Sequence, residues 1–260
     1  MTDTLLIERF DAVTLLTINR PETRNALDET VMTALYDALM ACETDGTRCI
    51  VLTGAGGTFS SGADIKAAVS RGVTPDQTYQ MLTDVYAPTL KAIRTASYPV
   101  IAAVDGFAAG IGCDMALACD IRLVSARARF AELFIRVGLI PDGGGTYLLP
   151  RIVGLGRALE MMFTGADVEA EEAQRIGLAN RIYPVETFMQ DVLAYAAHIS
   201  RQSPQALRRG KAAVRAALDS TYDESLAREA ANQRDILYSE DGAEGFLAFV
   251  EKRAPVWKGR

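Results

Sequence analysis

The chain reads Asp105-Gly106-Phe107-Ala108-Ala109-Gly110-Ile111-Gly112-Cys113-Asp114 near its centre and Gly138-Leu139-Ile140-Pro141-Asp142-Gly143-Gly144-Gly145-Thr146 a little later. Each segment follows a short apolar run, is rich in glycine, and leads into a helical pattern with one aspartate at or near its start. Glycine-rich loops let backbone N–H groups approach a ligand closely, because no bulky side chain holds it away. We therefore predict that these two loops, with a third at residues 58–66, form one active site.

The composition is that of a globular protein. A chain of 260 residues can form one large domain or two small ones with a sizeable core. A hydrophobic content of 49% with 23% charged residues is ordinary for the soluble class. The net charge of −6 argues against nucleic acid or an anionic membrane as the main partner. An anionic small ligand would need a local basic patch.

Targeting and cysteine patterns favour a reduced compartment. No apolar run reaches the ~18–20 residues that a membrane span requires, and Met1-Thr2-Asp3-Thr4 lacks the features of a signal peptide. The cysteines show no C-x-x-C spacing, so neither a zinc site nor a disulfide framework is indicated. They are Cys42, Cys49, Cys113 and Cys119. We expect a cytoplasmic protein with no metal and no membrane partner.

The chain contains a single histidine, His198, within a helical pattern. The simplest interpretation is a packed or surface side chain. Without a second histidine, Ser-His-Asp hydrolysis and a histidine-based metal site are difficult to build. Proton transfer would then depend on carboxylates, lysine, tyrosine or cysteine.

Strand and helix patterns alternate over the first two thirds of the chain, and helical patterns then dominate. The predicted strands are Leu5–Phe10, Val13–Ile18, and residues 49–53, 99–104, 121–124, 129–133 and 181–183. Helical patterns begin at Asp28, Ala63 and Ile111, among others. This order indicates an α/β core with parallel strands and a helical C-terminal segment.

Two phosphate-binding motifs are excluded or disfavoured by the glycine-rich loops. The loop at residues 54–62 contains no Gly-Lys-Ser/Thr, so it is not a Walker A site. Gly110-Ile111-Gly112 begins a dinucleotide fingerprint, but Met115 stands where the third glycine belongs. A Rossmann dehydrogenase is therefore disfavoured.

Ala63 and Ile111 each follow a glycine at the start of a helical pattern. Backbone N–H groups there have no partner within the helix, and the helix dipole adds positive potential. Two such donors aimed at one point would form an oxyanion hole for a carbonyl oxygen that gains charge. Spacing alone leaves open a second interpretation, in which these are two ordinary helix starts.

Five segments resemble, in the same order, motifs of the crotonase family, the enoyl-CoA hydratases and isomerases. They are Arg20-Pro21 with Asn25-Ala26-Leu27, Ser61-Gly62-Ala63-Asp64-Ile65-Lys66, residues 99–122, residues 138–146, and Ala248-Phe249 to Lys252-Arg253. The resemblance covers nearly the whole chain, and the ordered set of motifs is specific.

The resemblance implies an α/β crotonase-like spiral of ββα units that binds a coenzyme A thioester. It implies a spiral core at residues 1–200 and a C-terminal helical trimerisation segment at residues 201–260. Homotrimers or dimers of trimers are usual in this family. Coenzyme A is part of the substrate, so no separate cofactor is expected.

The resemblance also places the thioester oxygen between the N–H groups of Ala63 and Ile111. The family usually has glycine where Ile111 stands, so this side chain must find room. Arg24 and Lys66 become candidate contacts of CoA phosphates and adenine, although they could equally be solvated surface charges. Trp257 and Lys258 are expected near a neighbouring subunit's CoA. The other predicted binding residues are Ala26, Gly62, Asp64, Ile65, Gly110 and Phe134.

The carboxylates suggest which reaction follows. Hydratases of this family carry glutamates at the positions of Asp114 and Phe134, so their usual pair is absent. Glu132 lies about 6–7 Å from Phe134 if the segment is extended, and is a weaker substitute. Asp142 resembles the aspartate of ring-epoxyphenylacetyl-CoA isomerase and related Δ3,Δ2-enoyl-CoA isomerases. Without the resemblance, Asp142 would be read as a helix N-cap and Asp114 as a first-turn charge.

We therefore predict an enoyl-CoA isomerase, in which Asp142 moves the proton and Asp114 assists or orients. The alternatives are an enoyl-CoA hydratase that uses Asp114 and Asp142, and a non-catalytic acyl-CoA-binding homologue. The acyl group cannot be read from the sequence, because the pocket walls come from the region near residues 67–86 and the C-terminal helices.

Overall fold

The computed structural model describes residues 4–259. Residues 1–3 and 260, which the predicted core, trimerisation segment and N-terminal analysis include, lie outside it. The strands in this part of the chain are β1 (Leu5–Phe10), β2 (Val13–Ile18), β3 (Cys49–Gly54), β4 (Val100–Val104), β5 (Phe107–Ala109), β6 (Ile121–Ser125), β7 (Arg129–Ala131), β8 (Val168–Glu169) and β9 (Arg181–Tyr183).

The α-helices range from 6 to 16 residues in length. They are α1 (Glu29–Cys42), α2 (Ile65–Ser70), α3 (Pro75–Met81), α4 (Ala87–Thr95), α5 (Ile111–Ala118), α6 (Gly145–Val153), α7 (Leu155–Thr164), α8 (Ala170–Arg175), α9 (Phe188–Ser200), α10 (Pro204–Ala217), α11 (Tyr222–Leu237) and α12 (Glu240–Glu251). None of the helices in the described residues is both long and apolar enough to cross a bilayer.

Two sheets form the α/β core, as the strand and helix patterns predicted. The larger sheet has the order β1-β2-β3-β4-β6-β9, and the smaller has the order β5-β7-β8. The β1–β2 pair is antiparallel. The other neighbours in the larger sheet, β2, β3, β4, β6 and β9, pair in parallel. The carboxyl ends of β2, β3 and β4 therefore meet at one edge, and the loops that follow them lie together.

The larger sheet is covered on both faces, which explains its continuous apolar strands. Ile50 and Leu52 of β3 join the main core with α1, α4 and α5. Cys49 and Val51 of the same strand face a second core, which α9 closes with Phe188 and its neighbours. The alternation along β3 is the two-residue period of a strand.

A π-helical turn at Leu82–Tyr86 separates α3 from α4, and Pro88 lies in the first turn of α4. The helix interruption therefore begins just before this proline. The buried Tyr86 donates its hydroxyl hydrogen to the Leu27 carbonyl, 2.9 Å away. Thr89 also anchors α4, because its hydroxyl donates to the Met32 carbonyl at 3.1 Å. Single-turn π-helices in proteins are frequently found beside functional sites.

The three C-terminal helices α10–α12 bury little of their own apolar surface. No residue of α10 or α11 is buried, and α12 buries Asp241 and Ala248. Lys211 anchors α10, with its ammonium 2.7 Å from Asp120 and 2.9 Å from the Tyr98 carbonyl. Large apolar side chains on these helices face outward, including Val214, Leu226, Tyr238, Leu247, Phe249 and Val250.

Candidate active site

The candidate site lies at the edge of the larger sheet where the loops after β2, β3 and β4 meet. Leu27, in the loop after β2, forms an isolated parallel bridge with Ala63 in the loop after β3. Ser60 forms a second bridge with Ala108 of β5. The sequence predicted that the segments at residues 58–66 and 105–114 come together, and the structure brings them side by side.

Buried and partly buried polar groups hold the loop after β2 against the loop after β3. The Arg20 guanidinium lies 3.0 Å from the Asp64 carboxylate and donates to the Ala26 carbonyl at 2.8 Å. The fully buried Asn25 donates its side-chain amide to the Thr58 carbonyl at 2.6 Å. Because these groups are withdrawn from water, losing either partner would leave an unsatisfied polar atom.

The Ala63 N–H is directed away from Leu27. In its bridge, the Leu27 N–H donates to Gly62 and the Asp64 N–H donates back to Leu27, at 2.8 and 2.9 Å. A parallel bridge of this kind uses the neighbours of Ala63, so its own N–H points to the opposite side. Ala63 is exposed, which leaves this donor accessible to a ligand.

The predicted helix start at Ala63 is wrong by two residues. Helix α2 begins at Ile65, and Asp64 is its N-cap, with its carboxylate accepting the Ala67 N–H at 3.0 Å. Aspartate is a far better cap than alanine, so the helix begins after it. The Ala63 donor is free because of its bridge with Leu27 and not because it belongs to a first helical turn.

The helix start at Ile111 is confirmed. Gly110 is the N-cap of α5 without a side-chain cap, and its carbonyl accepts the N–H groups of Cys113 and Asp114 at 2.8 and 3.1 Å. The Ile111 N–H occupies the first helical position, which has no carbonyl partner inside the helix. The helix dipole places positive potential at this point.

The two glycines that precede these donors are in contact. Gly62 has φ of +95°, and a Cβ added to it would lie 2.8 Å from the Ala109 carbonyl oxygen and 3.7 Å from Gly110 Cα. A residue with a side chain would be both strained and obstructed here. Ala63 and Ile111 therefore both follow directly after the point where the two loops touch. Two donors that act on one oxygen must lie close together in this way.

Room for the Ile111 side chain comes from a glycine. Ile111 is 1% exposed, and a Cβ on Gly143 would lie 2.8 Å from its Cγ1 atom. The same Cβ would lie 2.6 Å from Asp114 Cβ. The glycine-rich loop before α6 thus accommodates both an isoleucine at the helix start and the aspartate one turn later.

Asp114 is completely buried at the base of this arrangement. Its Oδ2 atom accepts the Gly143 N–H at 2.8 Å, while Oδ1 is buried without a hydrogen-bond partner. Burial and the charge of Glu132 raise the pKa of Asp114 well above its ordinary value, and the hydrogen bond from Gly143 opposes this effect. A carboxyl in such a place can hold a proton at neutral pH.

Glu132 is a second fully buried carboxyl beside Asp114. Neither of its oxygens makes a hydrogen bond of ordinary geometry, although the Cys113 thiol lies beside the carboxyl. Burial raises its pKa to about 7, with Cys113 lowering it and Asp142 raising it further. It was predicted on an extended segment, but β7 ends at Ala131 and a 3-10 helix follows over Leu133–Val137.

Asp142 lies near both buried carboxyls, and its negative charge raises the pKa of each. The residue is exposed, yet desolvation around its carboxyl raises its own pKa to about 6, against a hydrogen bond from its own N–H. It does not cap α6, since the N-cap of that helix is Gly144 and no side chain caps it. Its carboxylate is therefore not used in capping and is suited to proton transfer near neutral pH.

Phe134 lies where the resemblance places the second glutamate of hydratases. Its side chain is 9% exposed, and the tip of its ring would lie 3.9 Å from a Cβ added to Gly110. The ring therefore packs beside the Ile111 donor. A phenyl ring neither holds a catalytic water nor donates a proton.

The predicted CoA contacts divide into two places. Arg24, Ile65 and Lys66 are exposed, and the Arg24 carbonyl accepts the Ser61 N–H at 3.0 Å, next to Gly62. Ala26, Gly62 and Gly110 are buried in the same loops, and Asp64 pairs with Arg20. These predictions therefore share one edge of the sheet with the two amides.

Trp257 and Lys258 lie elsewhere in the chain. The Trp257 indole donates to the Arg201 carbonyl at 2.9 Å, and its carbonyl accepts a hydrogen bond from Arg48. The Lys258 ammonium lies 2.8 Å from Glu240. Arg48 precedes β3, at the opposite end of the strand from the site, so these two residues do not join the site of their own subunit. Their approach to a neighbouring subunit stays a prediction.

From the sequence, Glu132 was expected only as a weaker substitute for the missing glutamate, and its burial beside Asp114 was not predicted. The available signal was a single charged residue within Phe130-Ala131-Glu132-Leu133-Phe134, an otherwise apolar run. Burial of such a charge is costly and usually has a structural or functional cause. Its neighbours come from α5 and from the loop before α6, which spacing along the chain does not reveal.

Comparison with protein families gives a match over residues 8–260 to the enoyl-CoA hydratase/isomerase family. A Rhodobacter capsulatus protein named "Probable enoyl-CoA hydratase" is 38% identical over 99% of this chain and 98% of its own length. The 2,3-dehydroadipyl-CoA hydratase of Escherichia coli is 34% identical over 98% of this chain and 99% of its own.

Solved structures give the same result. An enoyl-CoA hydratase from Bacillus anthracis superimposes with a TM-score of 0.95 at 30% identity, covering 99% of this chain and 100% of the other. One from Polaromonas superimposes with a TM-score of 0.93 at 32% identity, covering 98% and 99%. The predicted crotonase-like fold is confirmed.

Proposed function

Because the chain belongs to the enoyl-CoA hydratase/isomerase family, the crotonases, we propose that it is an enoyl-CoA isomerase. The family and its enzymatic nature follow from the matches above, and its relatives' names support an enoyl-CoA substrate. The observation that carries the finer assignment is the set of acidic groups. Asp142 lies beside the buried Asp114, and Phe134 occupies the place of the second hydratase glutamate.

The two amides would polarise the substrate. The N–H groups of Ala63 and Ile111 would donate to the thioester oxygen and stabilise the negative charge that gathers there when a proton leaves C2. One donor of this kind contributes about 10²–10³ in rate, or about 2.7–4 kcal/mol. The resulting dienolate spreads its charge from C2 to C4, so a proton can return at either carbon.

A single base then suffices for isomerisation. The Asp142 carboxylate removes a proton from C2 of a 3-enoyl-CoA, the double bond shifts from C3–C4 to C2–C3, and the same proton is delivered to C4. General acid–base catalysis of this kind contributes about 10²–10⁴-fold. Asp114 would orient the substrate or assist from the base of the site. No separate cofactor takes part in this scheme.

The alternative function is hydration, with Asp114 and Asp142 as the acid pair. The names of the relatives favour it, since most of them are hydratases. Hydration requires a water held by one carboxylate and a proton donated by another. Phe134 removes one of the usual places for such a group, which is why we favour isomerisation.

One paired assay tests the choice. We expect the enzyme to convert a 3-enoyl-CoA to its 2-enoyl isomer, and to hydrate crotonyl-CoA at least about tenfold more slowly in kcat/KM. The converse ratio would assign it as a hydratase. Exchange of C2 and C4 hydrogens with deuterated solvent tests the acyl-CoA-binding alternative, because a protein that only binds its ligand exchanges neither.

The raised pKa of Asp142 makes a prediction about pH. The base must be ionised, so kcat/KM for isomerisation should rise with pH through about 6 and then level off. Below this point it should fall about tenfold per pH unit. The measurement is a pH profile of kcat/KM at constant ionic strength. A profile that is flat between about pH 4.5 and pH 8 would exclude a base of raised pKa.

The C-terminal helices suggest self-association. Exposed Phe246, Phe249 and Val250 on α12 form an apolar surface that a single chain leaves uncovered. A cavity of about 720 Å³ also opens between α10 and the core, away from the two amides, beside Val214 and Arg215. We propose that a homotrimer, or a dimer of trimers, covers these surfaces, as the family resemblance implies. Light scattering on the purified protein measures this state directly.

A further inference from the structure

Glu132 is a buried carboxyl that the proposed reaction does not use. The side chain is 0% exposed, and in the described structure neither oxygen makes a hydrogen bond of ordinary geometry, although the Cys113 thiol lies beside the carboxyl. A buried polar group without a partner is costly, and a buried unpaired charge is more so. The contacts of Glu132 alone therefore do not explain why a carboxyl is buried at this position.

The Asp114 carboxyl is also incompletely hydrogen-bonded. Its Oδ2 atom is satisfied by the Gly143 N–H at 2.8 Å, but Oδ1 makes no hydrogen bond of ordinary geometry, although the Gly145 N–H lies close enough to favour the charged form. A Cβ on Gly145 would lie 2.1 Å from Oδ1, so the chain approaches this oxygen closely. Three unsatisfied oxygens, one from Asp114 and two from Glu132, thus belong to two neighbouring carboxyls.

Among residues 4–259, the groups around the pair supply no counter-ion. Cys113 of α5 and Asp142 of the following loop act on Glu132, and Asp142 also acts on Asp114. Arg122 of β6 is the nearby cation, but its effect falls on Cys113, and its guanidinium donates to the carbonyls of Leu178 and Cys119. Two buried carboxylates without a cation cannot both be ionised at low cost.

We propose that Glu132 and Asp114 form a single proton-sharing pair, in which Glu132 is a positioning residue that holds Asp114 beside the substrate. Oδ2 of Asp114 accepts the Gly143 N–H, so the proton resides on its other oxygen, Oδ1, and Glu132 carries the negative charge at pH 8. The O–H at Oδ1 of Asp114 then donates to an oxygen of Glu132, directly or through a water. Such a pair titrates as a unit.

The consequence for catalysis rests on the proposed function. Asp114 is fixed from two sides, by the Gly143 N–H and by Glu132, one helical turn from the Ile111 donor. A misplacement of about 1 Å in such a group can cost about 10²-fold in rate. The pair itself gains and loses no net proton, because Asp142 takes a proton from C2 and returns it to C4.

Infrared spectroscopy of the intact enzyme tests the pair without reference to activity. At pH 8, Asp142 and the exposed carboxyls are ionised, so a carboxylic-acid carbonyl band reports the shared proton. We expect the wild-type enzyme to show this band. Glu132→Gln and Asp114→Asn should each lose it, because either change removes one of the two carboxyls that share the proton. Glu132→Asp and the surface control Glu171→Gln should keep it.

Other outcomes overturn the proposal. A wild-type enzyme without the band at pH 8 has no shared proton. A band that survives undiminished in either Glu132→Gln or Asp114→Asn belongs to one carboxyl alone. Circular dichroism on each variant establishes that the comparison is made on folded protein, and Glu132→Asp preserves both acids if a neutral replacement does not fold.

Kinetics provide the second readout. In the isomerase assay, Glu132→Gln should lower kcat by about tenfold or more with KM changed less than about twofold, and Glu132→Asp should recover part of kcat. An unchanged kcat with the infrared band lost would show a shared proton without a positioning role. If the wild-type enzyme has no isomerase activity, the proposed function fails, while the infrared result still decides whether the pair exists.

Discussion

Replacing Asp142 with asparagine is expected to lower kcat for conversion of a 3-enoyl-CoA to its 2-enoyl isomer by about 10²–10⁴-fold. Asparagine has the same shape but cannot accept a proton from C2. Binding of an acyl-CoA thioester should change less than about threefold, because the two amides still hold the thioester oxygen. The measurements are kcat by spectrophotometric assay and Kd by calorimetry.

The matched control is Asp37→Asn, at an exposed position of α1. This variant removes the same charge from the protein and should keep wild-type kcat. Retention of full activity in Asp142→Asn would show that another group moves the proton. A loss of acyl-CoA binding equal to the loss of kcat would instead show that Asp142 binds the substrate without acting as its base.

The second large effect concerns stability and its dependence on pH. The folded pKa of Glu132 is about 7, above its ordinary value of 4.5, so the folded state binds more protons between these values. Stability therefore falls as pH rises from about 4.5 to about 7, and the full cost is present above pH 7. One pKa unit corresponds to about 1.4 kcal/mol, so this cost reaches about 3 kcal/mol.

Glu132→Gln removes the ionisable group, so we expect the free energy of unfolding at pH 8 to increase by up to about 3 kcal/mol. The gain should shrink towards zero near pH 5, where the wild-type carboxyl is already protonated. Denaturant unfolding at both pH values measures it, with Glu171→Gln as the surface control. Lower stability of Glu132→Gln at pH 8 would mean that the ionised carboxyl makes a favourable interaction in the folded protein.

Local patterns predicted most elements of the fold. The first two strands have the predicted bounds and α5 begins at the predicted residue, because their apolar and helical periodicities are uninterrupted. Strand β5 (Phe107–Ala109) was not predicted, since three residues between glycines are too few to show a period. The strand predicted to residue 133 ends at Ala131, because Leu133–Val137 continues as a 3-10 helix.

The site was only partly predictable for a physical reason. The glycines that precede Ala63 and Ile111 are visible in the sequence, and so are Asp114 and Asp142. The direction of the Ala63 N–H depends on a bridge to Leu27, which is distant along the chain. The neighbourhood of Asp114 and Glu132 likewise depends on packing between α5, the end of β7 and the loop before α6, which no local spacing encodes.

The two candidate donors are parts of the peptide backbone, and this has a consequence for how such a protein can acquire a new reaction. No substitution other than proline removes a backbone N–H, provided that the loops keep their shape. Ile111 illustrates this point, since a bulky side chain stands there and Gly143 makes room for it. Related proteins can therefore diverge by exchanging the acidic residues around two unchanged backbone donors. A few substitutions would then be enough to change the reaction that is catalysed.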